Sequence, residues 1–550
     1  MNGLAAAVSQ AQALVDRAFA ALRSRVTRDG RLEPALLDAQ QLPSYELAFC
    51  AAELAAARAM HDYASRLRAA DALAGELADM FTYEVLSSVV ARLAARPGDF
   101  GLPLAEVLAA HPAAHPSLVR YGESASIAAI GGALIERQGR LPPSGLEHEK
   151  ELMRDAFVKF ASEVVAPQAQ RIHRDDLDIP ETIIAGAAAL GLFGVSIPQR
   201  YGGLQPDDHA DTLAMLVVTE ALSAASLGAA GSLITRPEIM ARALLAGGTD
   251  EQQAHWLPRL ASGEKRVAIS ITEPDFGSDV AQLRLRASRV AGGWQLSGAK
   301  TWCTWAGGAD VLLVIARTAA DVALGHRGLS MLMVEKPRYA GHEFEHRPAS
   351  GGRLSARAIA TIGYRGMHSF DLLFENYFVP DSHLVGGTQG EGRGFHLTMA
   401  GLTGGRVQTA ARACGVMQAA FDSGLRYAVQ RRVFGQAIAG YSLTQARLAR
   451  VAAWLTASRQ LNYAVARRID AGGGEMEASL VKLFACRAAE WVTRDMMQIF
   501  GGMGYAQETD VSRYFVDARV LSIFEGAEET LALKVVAREL IQQAGGTAAA

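Results

Sequence analysis

The hydrophobic periodicity of this chain changes twice, from helical spacing to short apolar runs and back to helical spacing. Between Val267 and about Pro380, β-branched and aromatic runs alternate with Gly, Asp and Pro: VAISIT, GWQLSGAKTWCT, ADVLLVIAR, LSMLMVEK and FDLLFENYFV. These runs predict an antiparallel sheet or small barrel of about 120 residues. Because the flanking regions keep apolar residues three and four apart, we expect an α+β protein that is mainly α.

The position of the predicted sheet divides the chain into four parts. Residues 1–145 form an Ala/Leu-rich helical extension, and residues 146–266 form a second helical domain whose first helix we expect to stop at Pro167. Residues 267–393 form the β domain, and residues 394–550 form a C-terminal helical bundle. The clearest helical patterns lie at 45–68, 408–429, 443–469 and 477–500.

The composition excludes several classes of protein. The 550 residues include 54 basic and 57 acidic side chains, and the net charge of −3 argues against general electrostatic binding of nucleic acid. The four cysteines show no CxxC spacing and the 13 histidines no HExxH motif, so we expect neither a disulfide scaffold nor a metal site. No apolar run approaches the roughly 20 residues of a membrane span, and the N-terminus does not resemble a secretory signal. We therefore expect a cytoplasmic protein.

Four stretches of the sequence stand out by their chemistry. ITEPDFGSD (271–279) and KTWCTWAGG (300–308) each leave a predicted strand, RRVFG (431–435) lies on or after a helix, and QIFGGMGY (498–505) is followed by IFEG (523–526). In this order they resemble the motifs TEPxxGSD, KxWxTxxG, RxxFG and QxxGGxGY of the acyl-CoA dehydrogenase family of flavoproteins. The resemblance covers about three quarters of the chain, from Glu147 to the C-terminus.

The resemblance implies the acyl-CoA dehydrogenase fold, which has an α-helical domain, a β-barrel domain and a C-terminal four-helix bundle, here preceded by an extra helical domain. It implies an FAD cofactor between the barrel and the bundle, in a site that a neighbouring subunit completes, and hence a homodimer or homotetramer. The expected substrate is an acyl-CoA, and the expected acceptor is an electron-transferring flavoprotein. Three alternatives stay open: a dehydrogenase for another short-chain or glutaryl-type acyl-CoA, a DNA-binding homologue, and a flavin monooxygenase or oxidase.

Oxidation of an acyl thioester to its 2-enoyl form requires a base for the α-proton and an acceptor for the β-hydride, and flavin N5 serves as that acceptor. By resemblance, Glu525 in the Phe-Glu-Gly motif is the base, and we expect burial against flavin and substrate to raise its pKa. The ordinary interpretation is a capping or surface glutamate. Some family members carry the base just before a bundle arginine. Here that position, ahead of Arg406, is Gly405, which cannot act as a base.

The resemblance also assigns cofactor and substrate contacts, motif by motif. It implies that FAD is held by Ile271, Thr272, Ser278, Trp302, Thr304, Arg431, Phe434, Gln445, Gln498, Gly501 and Gly502. It implies substrate contacts at Ser278, Arg406 and Gly526, with Ser278 and Arg406 facing the CoA moiety. The sequence departs from the family pattern at Trp305, Val433, Ser442, Ala527 and Glu529.

Two features narrow the expected substrate: the N-terminal extension, and the stretch 335–370, which typical family members cross in fewer residues. Together with the Phe-Glu-Gly motif, these features resemble those of family members that act on short branched dicarboxylic acyl-CoAs. This resemblance implies that (2S)-methylsuccinyl-CoA is oxidised to mesaconyl-CoA in the ethylmalonyl-CoA pathway. A buried substrate carboxylate needs a cationic partner. We hypothesise that Arg236 is this partner, against the ordinary interpretation of a surface arginine at a helix start. Tyr364 and His368 are further pocket candidates, and we expect Arg365 to be structural.

Overall fold

The computed structural model describes residues 2–544, and the N-terminal extension within it is helical. Helix α3 confirms the helical pattern that the sequence predicts at 45–68. Helix α4 begins after Asp71, whose side chain accepts a hydrogen bond from the backbone N–H of Leu73 at 3.1 Å and so caps the helix. The elements of the extension are α1 (Asn2–Val26), β1 (Thr27–Arg28), β2 (Arg31–Leu32), α2 (Pro34–Ala39), α3 (Gln41–Leu67), α4 (Ala72–Ala95), α5 (Pro97–Phe100), α6 (Leu104–Ala109) and α7 (Ser124–Glu136).

Six helices follow the extension, and the prediction that the first one stops at Pro167 is wrong. That helix continues through a π-helical turn, Ala161–Val165, into the next helix, where the proline occupies the first turn. A proline is tolerated there because the π-helical turn before it changes the hydrogen-bond register, with the N–H of Ala166 donating to the carbonyl of Ala161. The six helices are α8 (His148–Phe160), α9 (Ala166–Arg174), α10 (Glu181–Ala189), α11 (Thr212–Ala225), α12 (Thr235–Gly247) and α13 (Asp250–Ala261).

The predicted β region forms one eight-stranded, mostly antiparallel sheet. Its strands are β3 (Val267–Ser270), β4 (Arg286–Val290), β5 (Gly293–Thr304), β6 (Val311–Arg317), β7 (Leu329–Glu335), β8 (Glu343–His346), β9 (Arg353–Ile359) and β10 (Ser369–Pro380). The strand order is β3-β6-β4-β5-β10-β9-β8, with β7 paired to β6, and β3 runs parallel to β6. The five predicted runs are confirmed as β3, β5, β6, β7 and β10, whereas β4, β8 and β9 are not predicted.

Strand β6 is buried on both faces, so its alternating side chains contribute to two separate cores. Leu312 and Val314 pack with residues of β5 and β10. Leu313 and Ile315 pack instead against α12 and α13, together with Met240, Leu244, Trp256 and Leu260. This second core fixes α12 against the sheet, and α12 carries Arg236.

The C-terminal region is helical, as predicted, and the fold class is α+β with helices dominating. The predicted patterns 408–429, 443–469 and 477–500 are confirmed as α14, α15 and α16, although α14 starts earlier than predicted. Across residues 2–544, no helix combines the length and apolar character that crossing a membrane requires. The elements are α14 (Gly394–Gln430), β11 (Arg432–Val433), β12 (Gln436–Ala437), α15 (Ser442–Asp470), α16 (Glu475–Ile499), α17 (Asp510–Leu521), α18 (Glu528–Thr530), a π-helical segment (Leu531–Ala537) and α19 (Arg538–Gln543).

The described residues form two compact units, of which the first comprises residues 2–151 and 409–544 and the second residues 152–408. Within the first unit, the N-terminal extension and the C-terminal bundle share an aromatic core. The ring of Phe81 on α4 lies 5.2 Å from that of Trp454 on α15, and the Trp454 indole N–H donates to Glu84 at 2.9 Å. The extension is therefore an integral part of this unit, while the four-part division of the chain stays a prediction.

Helices α7 and α15 approach each other closely in the first unit, at Gly131. A Cβ added to Gly131 would lie 2.0 Å from the carbonyl oxygen of Gln445, so this approach requires glycine. Gln445 is also one of the expected FAD contacts. Its side-chain amide donates to the carbonyl of Ala439 at 3.1 Å, and a contact of Gln445 with FAD stays a prediction.

The close approach of α7 and α15 predicts opposite effects for two adjacent glycines. Gly131→Ala should destabilise the protein by about 1–3 kcal/mol because the new methyl group collides with backbone. Gly132→Ala is the matched control, since a Cβ there meets no atom within 4 Å. That variant should gain about 0.5–1 kcal/mol of stability from the removal of a helical glycine. Urea unfolding of both variants measures the difference, and equal midpoints would contradict the packing described.

Candidate active site

A buried ion pair joins two of the sequence motifs in the second unit. The Lys300 ammonium, on β5, donates to the carbonyl of Ile271 at 2.6 Å and to the carboxylate of Glu273 at 2.9 Å. Glu273 also accepts hydrogen bonds from the backbone N–H groups of Arg284 and Leu285, at 2.7 and 2.8 Å. Burial lowers the pKa of Lys300 to about 8, against the opposing effect of the Glu273 charge. The pair therefore holds the TEPxxGSD loop beside the end of β5.

The residues predicted to contact the flavin ring lie around this ion pair. The backbone N–H of Thr301 donates to the carbonyl of Thr272 at 2.9 Å, which places Ile271 and Thr272 next to the KxWxT motif. Thr304 is half-buried and its hydroxyl lies 2.9 Å from that of Ser369, while Trp302 is 54 % exposed. An indole this exposed at the end of a strand offers a large apolar face to a planar ring.

Three other positions of the second unit have distinct environments. Ser278 is exposed on the TEPxxGSD loop, and Arg406 is half-buried on α14. Trp305, the departure from the family pattern, is 5 % exposed and lies under the guanidinium of Arg266, which is 5.9 Å from its ring centre. Trp305 is therefore a core residue.

Arg236 is buried, so the interpretation as a surface arginine at a helix start is wrong. It is 5 % exposed at the second residue of α12. Its Nη1 atom donates to the carbonyl of Ser232 at 3.0 Å and lies 3.4 Å from the sulfur of Met367, and its Nη2 atom donates to the hydroxyl of Tyr364 at 3.1 Å. Tyr364, one of the weaker sequence candidates, is thus a direct partner of Arg236.

His368, the other weaker candidate, is held between two carboxylates. Its Nε2 atom lies 3.3 Å from Asp176 and its Nδ1 atom 3.1 Å from Asp178. Burial by itself would lower the pKa of His368, but the hydrogen bond to Asp178 and the charges of both aspartates outweigh it and raise the pKa. The same hydrogen bond lowers the pKa of Asp178. These aspartates were not predicted, because an acidic run such as DDLD at 175–178 is usually solvated.

The predicted base, Glu525, lies in a tight turn of the first unit, between α17 and α18. Glu525 and Gly526 have φ angles of 55° and 100°, in the left-handed region that favours glycine. The ammonium of Lys482 on α16 donates to the carbonyl of Gly526 at 2.7 Å, and the guanidinium of Arg412 on α14 lies 4.8 Å from the Phe524 ring centre. Lys482 and Arg412 are buried, so two helices fix the turn from within the core.

The N-terminal extension reaches the segment that follows the turn. Glu528 forms an ion pair with Arg487 at 2.6 Å and accepts a hydrogen bond from the hydroxyl of Tyr45, on α3. The guanidinium of Arg487 lies 3.5 Å from the ring centre of Phe49, also on α3. The extension therefore supports the segment immediately beyond Glu525, which the sequence did not reveal.

The remaining predicted FAD positions of the first unit lie in exposed turns that suit a bound dinucleotide. Phe434 is 98 % exposed in the turn between β11 and β12, close to the exposed Arg431. Gln498 is exposed near the end of α16. A Cβ added to Gly501 or Gly502 would meet no atom within 4 Å, so a diphosphate can approach the backbone closely there. The residues present therefore fit FAD, while each individual contact stays a prediction.

The whole region from the second helical part to the C-terminus matches one family. Residues 147–264, 268–377 and 392–541 match the family models for the N-terminal, middle and C-terminal domains of acyl-CoA dehydrogenases. This chain belongs to the acyl-CoA dehydrogenase family, and it is an FAD-dependent oxidoreductase. The predicted family, fold class and cofactor are thereby confirmed.

The chain is also similar to particular members of this family. The chain is 36% identical to (2S)-methylsuccinyl-CoA dehydrogenase of Cereibacter sphaeroides, over 97% of both chains. It is 33% identical to the mitochondrial 2-methylacyl-CoA dehydrogenase of Solanum tuberosum, over 72% of this chain and 92% of the relative. A solved complex of glutaryl-coenzyme A dehydrogenase with glutaryl-CoA matches at a TM-score of 0.65 and 27% identity, over 72% of this chain and 95% of that chain. The first relative, with its 97% coverage, thus also matches the N-terminal extension.

The environment of His368 predicts a pH dependence of stability. Because its pKa in the folded protein is raised above the ordinary 6.5, the native state binds the proton more tightly than the unfolded state. The contribution of this protonation to the free energy of unfolding should be complete below pH 6.5 and be lost as the pH rises through the raised pKa. We expect the difference in urea midpoint between wild type and His368→Gln to shrink over this window. A constant difference between about pH 5.5 and about pH 9 would contradict the expectation.

Proposed function

We propose that this acyl-CoA dehydrogenase oxidises a short branched dicarboxylic acyl-CoA, with (2S)-methylsuccinyl-CoA as substrate and mesaconyl-CoA as product. One observation carries the proposal: the buried guanidinium of Arg236 has a carbonyl, a sulfur and a hydroxyl as partners, and no carboxylate among residues 2–544. A buried charge without an opposite charge is costly. The distal carboxylate of the substrate would supply the missing anion.

The similarity to known proteins supports the same proposal. The relative that matches 97% of the chain, including the extension, is a (2S)-methylsuccinyl-CoA dehydrogenase. A glutaryl-type substrate is the second candidate, because it also ends in a carboxylate that Arg236 could bind, and a solved relative holds glutaryl-CoA. The two candidates differ in chain length and branching, so a substrate panel separates them.

In the proposed reaction, Glu525 removes the α-proton of the thioester. The FAD that the motif residues would hold would supply the acceptor for the β-hydride. The substrate carboxylate is attached to the carbon that loses this hydride, so Arg236 would orient the reacting C–H bond as well as bind the anion. Lys482 and Arg412 fix the turn around Glu525 and would thereby keep the Glu525 carboxylate beside the α-carbon of the substrate.

We also propose an electron-transferring flavoprotein as the acceptor, and a homodimer or homotetramer as the assembly. The acceptor is expected from the family. The assembly is supported by Phe434, whose almost fully exposed ring is an apolar surface that a second copy of the chain would cover. Light scattering on the purified protein measures the mass of the assembly.

Replacement of the proposed base should abolish the chemical step and leave binding intact. We expect Glu525→Gln to retain FAD and to bind (2S)-methylsuccinyl-CoA, but to reduce the flavin about 10²–10⁴-fold more slowly. Anaerobic stopped-flow bleaching measures this rate. Glu529→Gln is the matched control, since Glu529 is exposed four residues away and should bleach like wild type. Normal bleaching of Glu525→Gln would refute the assignment.

Replacement of Arg236 should change substrate choice. We expect Arg236→Gln to lower kcat/KM for (2S)-methylsuccinyl-CoA about 10²–10³-fold, because the substrate carboxylate would lose its partner. Its activity toward butyryl-CoA, which has no distal carboxylate, should not fall. Arg171→Gln, which alters a side chain 78% exposed on α9, is the matched control. If kcat/KM for the dicarboxylic thioester stays at the wild-type value in Arg236→Gln, the proposed substrate is wrong.

A further inference from the structure

Residues 361–368, which we call the 361–368 segment, contact three separate parts of the second unit. Tyr364 and Met367 contact the guanidinium of Arg236 on α12. His368 contacts the connection between α9 and α10 through Asp176 and Asp178. The carbonyl of His368 accepts a hydrogen bond from the backbone N–H of Trp305 at 2.8 Å, next to the end of β5. The segment therefore links the proposed carboxylate-binding arginine to the end of a flavin-motif strand.

The backbone of this segment is unfavourable by itself. Tyr364, Gly366 and His368 have φ angles of 58°, 110° and 46°, and two of these residues carry side chains that rarely adopt such values. Conformations of this kind persist only when surrounding contacts impose them. The segment therefore depends on its external contacts for its shape.

The strongest external contacts are charged. The His368 side chain is 5 % exposed and lies between Asp176 and Asp178, while Arg365 donates to the carbonyl of His173 at 2.9 Å and lies 3.6 Å from Asp176. Asp178 also accepts a hydrogen bond from the backbone N–H of Gly341 at 2.7 Å. Two carboxylates thus face the guanidinium of Arg365 and the imidazole rings of His368 and His342, and the Nε2 atom of His342 lies 3.2 Å from Asp176. These ion pairs form a network that ties the segment to the connection between α9 and α10.

Arg236 needs such external support because its side chain is long. An arginine has many rotamers of similar energy, and fixing one of them costs conformational entropy. Here the guanidinium is oriented by one contact within its own helical region, the carbonyl of Ser232, and by two contacts from the 361–368 segment. If the segment moves, two of the three contacts are lost and the guanidinium is no longer presented in one orientation.

We propose that His368, clamped by Asp176 and Asp178, is a positioning residue for recognition of the substrate carboxylate. It holds the 361–368 segment so that Tyr364 and Met367 orient Arg236. His368 acts through Arg236 and need not touch the substrate. The inference rests on the proposed function, because it requires a substrate carboxylate at Arg236.

The test compares a dicarboxylic and a monocarboxylic thioester in the FAD-loaded enzyme. We expect His368→Gln to raise KM for (2S)-methylsuccinyl-CoA about 10- to 100-fold. The kcat for butyryl-CoA and the FAD content should stay at wild-type values. His209→Gln is the matched control, because His209 forms a 2.7 Å pair with Asp208 in the same unit but is 62% exposed and does not contact the segment. An equal loss with both thioesters, or no loss with either, would overturn the inference.

A double substitution separates failure of this inference from failure of the proposed function. In the Arg236→Gln background, His368→Gln should cause no further loss of selectivity, since the residue it positions is already absent. If Arg236→Gln leaves selectivity unchanged, the proposed function fails. If Arg236→Gln abolishes selectivity but His368→Gln does not alter it, only the positioning role fails. Additive losses in the double variant would also overturn the positioning role.

Two further measurements keep the inference testable if His368→Gln does not fold. Tyr364→Phe removes only the hydroxyl that accepts from Arg236, and we expect it to raise KM for the dicarboxylic thioester selectively, by about tenfold. Selective activity that disappears with EDTA and returns with Zn²⁺ would replace the ion-pair network by a metal site and overturn the proposal. Unchanged selectivity after EDTA treatment would support it.

Discussion

The buried ion pair between Lys300 and Glu273 is the constraint on which the candidate site of the second unit depends. Neither charge is stable in the interior alone, so the two residues must stay together. They belong to different motifs, and their pairing brings Thr272 beside Thr301 on β5. The two sequence motifs with the clearest family resemblance are therefore adjacent because a lysine and a glutamate cannot be separated without leaving a charge unpaired.

In the first unit, the main constraint is that the Glu525 carboxylate lies in a strained turn. Glu525 has a positive φ, and the turn is fixed by Lys482 and Arg412 from the helices beneath it. The N-terminal extension adds the contact of Tyr45 with Glu528. Because the extension shares an aromatic core with α15 and α16, it stabilises the helices from which the turn is held.

Arg236 differs from Lys300 and His368 in the charge of its partners. Lys300 has a carboxylate partner within the chain, and so has His368. The guanidinium of Arg236 is equally buried but is satisfied by neutral atoms, which orient it without neutralising it. A site that binds an anion from outside requires this combination, because an internal carboxylate would compete with the substrate.

The order of the motifs and their resemblance to the acyl-CoA dehydrogenases were sufficient to predict the family and, through the family, the cofactor. Hydrophobic periodicity, which is local, predicted the long helices and five of the eight sheet strands. Strands β4, β8 and β9 escaped prediction because charged residues interrupt their apolar pattern, as the sequences RASRV, EFEH and RLSARAI show. The prediction that a helix stops at Pro167 was wrong because a π-helical turn, which has no signal in the local sequence, precedes the proline and lets the helix continue. The burial of Arg236 appears only in the tertiary structure, and so do its contact with Tyr364 and the contacts of His368 with the two aspartates. These contacts join residues more than 120 positions apart in the chain.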